Sequence, residues 1–161
     1  MGLCENQESH FQQNLLEKIK YTEGKSGDIQ YILEKYLYYK QKGAGKFAKP
    51  TIEHIVPQDN SDEIFKKFNC DKKEIIKKIN QIGNLTILEE SENSSVFNKP
   101  FSEKKSSYRK HLFVGNQNIL DYSFQIQPEE AIQKRGEEIA VVLYKIFLAA
   151  LETGKWKKEQ N

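Results

Sequence analysis

The chain has 161 residues, 37% hydrophobic and 30% charged, with a mean hydropathy of −0.74. No run approaches the roughly 18 unbroken apolar residues of a membrane span. The start, MGLCENQESH, has neither the basic segment nor the apolar run of a secretory signal, and Asn6 stands where a myristoylation signal has Ser or Thr. The two cysteines, Cys4 and Cys70, form no metal-spacing motif, so a zinc ribbon is excluded and a cytoplasmic protein with reduced thiols is the default.

Net charge is only +2, but it is unevenly spread. Residues 98–110 carry Lys99, Lys104, Lys105, Arg109 and Lys110 against Glu103 alone. Residues 66–78 carry six lysines against Asp71 and Glu74. The second run reads as a solvated helix face.

In chain order, residues 9–21 read as a helix with Phe11, Leu15, Leu16 and Ile19 near one face. Gly24, Ser26 and Gly27 break it. Asp28 is placed to cap a second helix to about Tyr39, where Ile29, Ile32, Leu33, Tyr36 and Leu37 follow helical spacing. Gly43, Gly45 and Pro50 mark a loop. Residues 51–56 are rich in β-branched side chains and read as a strand stopped by Pro57. A short helix is expected over 62–69. Asp71 and Glu74 give a capping-box pattern ahead of Ile75, Ile76, Ile79 and Ile82, with Gly83 as the stop. Residues 85–88 read as a second strand. Helix is expected from Ser91 to about Leu112 with a break before Pro100, and 115–127 reads as loop. Pro128 suits the first turn of a long final helix, whose Ile132, Ile139, Leu143, Ile146 and Ala150 form an apolar stripe. Intramolecular packing is the expected use of that stripe, and a homodimer contact is the other. The polar end, KWKKEQN, is expected to fray.

The expected fold class is therefore α+β, mostly helical, with a small two-stranded core wrapped by helices. A single domain over 1–161 is expected. It comprises N-terminal helices over 9–45, a core over 51–112 with a helical insertion at 62–82, and a packing helix over 128–152.

The segment 51–58, TIEHIVPQ, carries the chemistry. Imidazole is the side chain best suited to take a proton near neutral pH, and a carboxylate suits a hard cation such as Mg²⁺. Neighbours in a regular strand point to opposite faces, so Glu53 and His54 can share a site only where the strand ends. A second segment, IGNLTIL (82–88), is followed by Ser91-Glu92-Asn93. A helix starting near Ser91 would put the Asn93 amide oxygen within reach of a cation at the strand ends.

These pieces, with ENSSVFNKPFSEKKSSY (92–108), IQKRGEEIAVVLYKIF (132–147) and the lead-in DIQYILEKYLYYK, resemble an HNH (His-Me finger, ββα-metal) endonuclease. More narrowly, they resemble the C-terminal nuclease domain of GmrSD-type, modification-dependent restriction enzymes, over about residues 28–147. The resemblance implies His54 as the general base, Glu53 and Asn93 as metal ligands, and Asn84 as the residue holding the catalytic loop. It assigns Lys99 and Lys104 to phosphate contact or to holding charge at the site, with Arg109 among the substrate-binding cations and Phe101 in the core. His10 and His111 match no catalytic position, and His111, beside Arg109 and Lys110, reads as a surface residue. Mg²⁺ is the implied cofactor, Mn²⁺ its substitute, and zinc is not expected. DNA is the implied substrate and defence against foreign DNA the implied role, in a bacterial or archaeal cytoplasm. The family's N-terminal NTP-dependent or DNA-sensing domain is the implied partner, lying outside this chain, and no membrane partner is expected. A nucleic-acid-binding module with a dormant site and an RNA-directed nuclease are the competing readings.

Overall fold

The computed structural model describes residues 2–24, 26–43, 45–58 and 72–153. The helix expected over 62–69, Asp71 and the tail from residue 154 lie outside the described residues. Seven α-helices surround one antiparallel two-stranded sheet among the described residues, so the α+β, mostly helical reading holds. Helices α1 (Gly2–Lys18) and α2 (Gly27–Lys40) precede strand β1 (Pro50–His54). Helix α3 (Lys72–Lys78) and a 3-10 turn (Ile82–Asn84) lead into β2 (Leu85–Glu89). Helices α4 (Glu90–Val96), α5 (Phe101–Lys110) and the short α6 (Val114–Gln117) follow, and α7 (Pro128–Glu152) ends the fold.

Local details depart from expectation in three places. Ser26 rather than Asp28 stands at the N-cap of α2, leaving Asp28 to meet the helix dipole from the first turn. A further capping box closes the start of α4, where Glu89 and Glu92 bond each other's backbone N–H; the pattern that begins at Asp71 falls outside the described residues. The region 115–127 is not simply loop. It holds the end of α6 and a 3-10 turn at Asn118–Asp121, because Gly115 lets this segment press against α2. A Cβ on Gly115 would lie 2.7 Å from Leu37 Cδ2. His111 is buried, not on the surface. The chain turns inward after α5, so the imidazole accepts the Phe113 N–H at 3.0 Å and lies 3.3 Å from Glu92.

The sheet pairs Pro50 with Glu89 through His54 with Leu85. The Ile55 N–H bonds Asn84 O at 2.9 Å. In an antiparallel pair the inward-facing residues alternate, so this contact turns residues 51 and 53 toward β2 and leaves the carbonyls of 52 and 54 on the outer edge. The same parity puts the carbonyls of Leu85 and Ile87 on the outer edge of β2. Side chains fill both edges. On β1, Asn93 Nδ2 donates to Ile52 O at 3.0 Å and Lys104 Nζ to His54 O at 2.6 Å. On β2, Arg135 donates to Leu85 O at 2.8 Å and to Gly83 O at 2.9 Å, while Asn116 Nδ2 donates to Ile87 O at 2.8 Å.

Two apolar cores flank the ribbon. Leu85, Ile87 and partly buried Ile52 face α1, α2 and α7, with Leu33, Tyr36, Leu37, Ile139 and Leu143. Leu88 faces the other way, with Val96, Phe101, Tyr108, Ile119 and Phe124. Ile132, Ile139 and Leu143 of the α7 stripe are thus spent inside the chain, as packing rather than dimerisation requires. Phe101 is core, as expected.

Helix α7 crosses the 3-10 turn so closely that Gly83 has no room for a side chain. A Cβ there would lie 1.9 Å from Ile132 O and 2.8 Å from Gly136 N, both backbone atoms that cannot rotate away. Gly83→Ala is therefore expected to destabilise the fold by at least the 1–3 kcal/mol typical of overpacking, about 5 °C or more in a thermal unfolding scan. An unchanged midpoint would refute this contact.

Candidate active site

Helix α4, the end of β1, the residue before α5's second turn and the segment after α1 meet around one small cavity of about 110 Å³. It is lined by Ile52, Glu53, His54, Pro57, Gln58, Asn93 and Lys104, with Tyr21, Phe97 and Asn98 at its walls. Glu53 and His54 leave opposite faces of β1, as strand alternation demands. They share the cavity because it lies across the open edge and end of the strand. The structure thus brings Glu53, His54, Asn93 and Lys104 together.

His54 is 9% exposed. Its Nε2 lies 3.1 Å from Asn80 Oδ1, which also accepts Gln58 Nε2 at 3.0 Å. An amide oxygen only accepts, so this contact places the imidazole proton on Nε2 and leaves Nδ1 with the lone pair. The Tyr21 ring stands edge-on to the imidazole at 4.8 Å, and the Tyr21 N–H bonds Asn80 O at 2.8 Å. Burial pulls the His54 pKa down to about 4, against the Asn80 hydrogen bond and with help from the positive charge of Lys104. The ring is therefore neutral at physiological pH and able to accept a proton.

Glu53 is 4% exposed and paired with Lys104, whose Nζ bonds Glu53 Oε1 as well as His54 O. Burial raises the Glu53 pKa while Lys104 lowers it, and burial lowers the Lys104 pKa while Glu53 raises it. Behind them lies the Tyr108 hydroxyl, fully buried and held protonated by burial and by the Glu53 charge. Among the described residues it has no hydrogen-bond partner of ordinary geometry. Asn93 sits at the end of the first turn of α4, and its Nδ2 is committed to Thr51 Oγ1 at 2.9 Å and to Ile52 O. The amide oxygen is the atom left for the cavity.

Asn84 is fully buried and does not line the cavity. Its Oδ1 accepts the Val56 N–H at 2.8 Å, and its Nδ2 donates to Val56 O at 2.9 Å and Ile79 O at 2.8 Å. It ties the segment after His54 to the end of the α3 turn, a holding contact rather than a chemical one. Lys104 is fully buried, so of its two expected uses the geometry fits the holding of charge, not phosphate contact from solvent. Lys99 and Arg109 are exposed and lie outside the cavity lining. Asn80 and Tyr21 were not legible as site residues. Asn80 is a single turn residue after α3, and Tyr21 lies more than thirty positions before His54.

A divalent cation would meet oxygen donors here: the second carboxylate oxygen of Glu53 and the amide oxygen of Asn93. That donor set is hard and incomplete, which suits Mg²⁺ with water and phosphate oxygens completing its shell. Among the described residues no cluster of three or more His, Cys, Asp or Glu side chains could hold a metal.

Over residues 5–142 the chain matches the family model of the C-terminal domain of GmrSD restriction endonucleases. It belongs to that family, a nuclease domain of the restriction–modification type. Comparison with curated proteins and with solved structures gives no match. No helix among the described residues is long and apolar enough to cross a membrane.

The depressed imidazole has a measurable consequence. The folded state resists protonation at His54, whereas an unfolded chain takes that proton near pH 6.5. The unfolded state then binds more protons, so His54 lowers folding stability as pH falls from about 6.5 to about 4. Histidine-resolved NMR is expected to show His54 titrating near the lower value, with the neutral Nε2–H tautomer above it. Titration near 6.5 would contradict the burial that sets this site.

Proposed function

We propose that this domain is a divalent-metal-dependent endodeoxyribonuclease, the cutting part of a restriction or anti-phage protein, with His54 as general base. The observation that carries this reading is a neutral, oriented imidazole sharing one cavity with a carboxylate and an amide oxygen. The family membership supports a DNA substrate and an upstream NTP-dependent or DNA-sensing domain.

In this mechanism His54 Nδ1 takes the proton of the attacking water while Asn80 holds Nε2–H. Tyr21 shields the ring from bulk water, and Asn84 keeps the segment after His54 in register with the 3-10 turn. Glu53 and Asn93 would hold the cation, which when bound supplies charge stabilisation to the scissile phosphate and the leaving oxygen. Lys104 supplies the positive charge that favours the ionised carboxylate against its burial. It fixes one carboxylate oxygen and the backbone of His54 with the same ammonium. Lys99 and Arg109, both in solvent, would contribute to DNA attraction at longer range.

The test is conversion of supercoiled plasmid, unmodified and base-modified, with Mg²⁺, Mn²⁺ or EDTA. Cutting is expected to need the metal, and His54→Ala is expected to lose about 10²–10⁴-fold, the usual worth of general-base assistance. Asn93→Ala is expected to be near-inactive while still folded. Wild-type cutting by either variant would overturn the assignment. DNA binding without metal-dependent cutting would favour a dormant binding module, a reading to which the Lys104–Glu53 pair lends weight. Cutting of RNA alone would favour the RNA-directed alternative.

Lys104 makes its own prediction. Removing one partner of a buried ion pair leaves the other uncompensated, typically at about 3–5 kcal/mol. Lys104→Met is expected to lower the unfolding midpoint and to have it partly restored by millimolar Mn²⁺, the cation now neutralising Glu53. A midpoint insensitive to both changes would remove Lys104 from the charge balance of the site.

A further inference from the structure

We propose that Phe97 is a stacking platform for a nucleobase next to the scissile phosphate, so that the domain cuts a strand whose flanking nucleotide is unstacked. This rests on the nuclease reading of the cavity. Phe97 is 67% exposed, yet it lines the same cavity as Glu53, His54 and Asn93. Among the described residues, none of the other large exposed apolar side chains, such as Tyr39, Leu112 or Ile126, lines it. Phe97 follows Asn93 by one helical turn, which puts the ring on the cation-binding side of α4.

The ring sits on a stiff mount. The Lys99 N–H bonds Val96 O at 3.0 Å, Asn98 takes a left-handed φ of +52°, and Pro100 restricts the residue before it. With the backbone beneath it held, only the two side-chain torsions of Phe97 remain to be fixed when a ligand stacks on it.

The cavity's size assigns the occupant. At about 110 Å³ it is well below the roughly 300–1,000 Å³ of pockets that engulf whole organic ligands. It has room for a phosphate group but leaves sugar and base at the rim, where Phe97 stands. Exposed Lys99, two residues on in the chain, adds a positive charge to the same segment. Aromatic faces with adjacent cations are how proteins hold single-stranded nucleic acid without reading sequence. A base stacked on Phe97 has left its own stack, so the flanking step must be melted, mismatched or single-stranded when the phosphate is seated.

The test uses three variants of the whole chain. Phe97→Ala is expected to fold with an unchanged midpoint, because the ring is exposed, and to lose about tenfold to a hundredfold in kcat/KM. Phe97→Tyr should restore the parent rate. For binding without cutting, Phe97→Trp is placed in a His54→Ala, Trp156→Phe background, making the new indole the sole tryptophan. A single-stranded oligonucleotide is expected to quench its fluorescence, and the perfect duplex to quench it less. Parent-like cleavage by Phe97→Ala, or an unquenched indole while a labelled oligonucleotide shows binding by anisotropy, would overturn the platform and leave the nuclease reading standing. Failure of the parent to bind or cut any nucleic acid would overturn both.

Discussion

A ribbon of two strands has no interior strand, and that single constraint organises the molecule. Each strand shows one row of backbone carbonyls to its partner and another to the outside, and a buried carbonyl without a donor is costly. Here the outer rows are sealed by side chains: Asn93 and Lys104 on β1, Asn116 and Arg135 on β2. All four come from helices that follow the sheet in sequence. The helices are thus bonded to the ribbon by polar groups as well as packed on it, and the sheet is too small to be stable alone. The candidate cavity lies on the β1 edge, where the sealing groups Asn93 and Lys104 also line it.

Charge is handled differently at the two edges. Arg135 is fully buried with one terminal nitrogen on two carbonyls, and its Nε and second terminal nitrogen have no hydrogen-bond partner among the described residues. Its guanidinium lies 6.0 Å from the Tyr36 ring centroid. Glu138, which accepts from Tyr36, Tyr122 and Lys40, supplies the nearby negative charge. Lys104 instead meets a carboxylate head-on. A delocalised guanidinium tolerates loose, aromatic company, whereas a compact ammonium is held by direct contact with Glu53 and His54 O. The β2 edge is therefore closed by a cation on backbone carbonyls, and the β1 edge by a buried ion pair that also reaches the strand backbone.

Both strands, most of the helices and the fold class were legible because periodicity and turn residues report them directly. The gathering of Glu53, His54 and Asn93 was legible through motif order, and the holding role of Asn84 only through the family resemblance, since its place after Gly83 reads by itself as a turn. What escaped was burial of polar residues. Lys104 lies among Glu103, Lys105 and Arg109, so local hydropathy gives no sign that its site role is a buried one, and His111, following Lys110, reads as surface. Only the tertiary partners, Glu53 for one and Phe113 N–H with Glu92 for the other, explain why they turn inward. Asn80 escaped for a related reason. Its role is defined by a side chain 26 positions earlier, a separation to which no helical or strand period corresponds.

Tyr21 closes the wall beside His54, yet its own support is remote. It leaves the end of α1, which lies along α7 through contacts such as Phe11 on Tyr144 and Phe147. The dryness of the imidazole, and with it the depressed proton affinity, therefore depends on a pair of helices that gives the reaction no atom. Any breathing of that pair that lifts Tyr21 from Asn80 would admit water to the ring, turning a motion of the scaffold into a change in basicity.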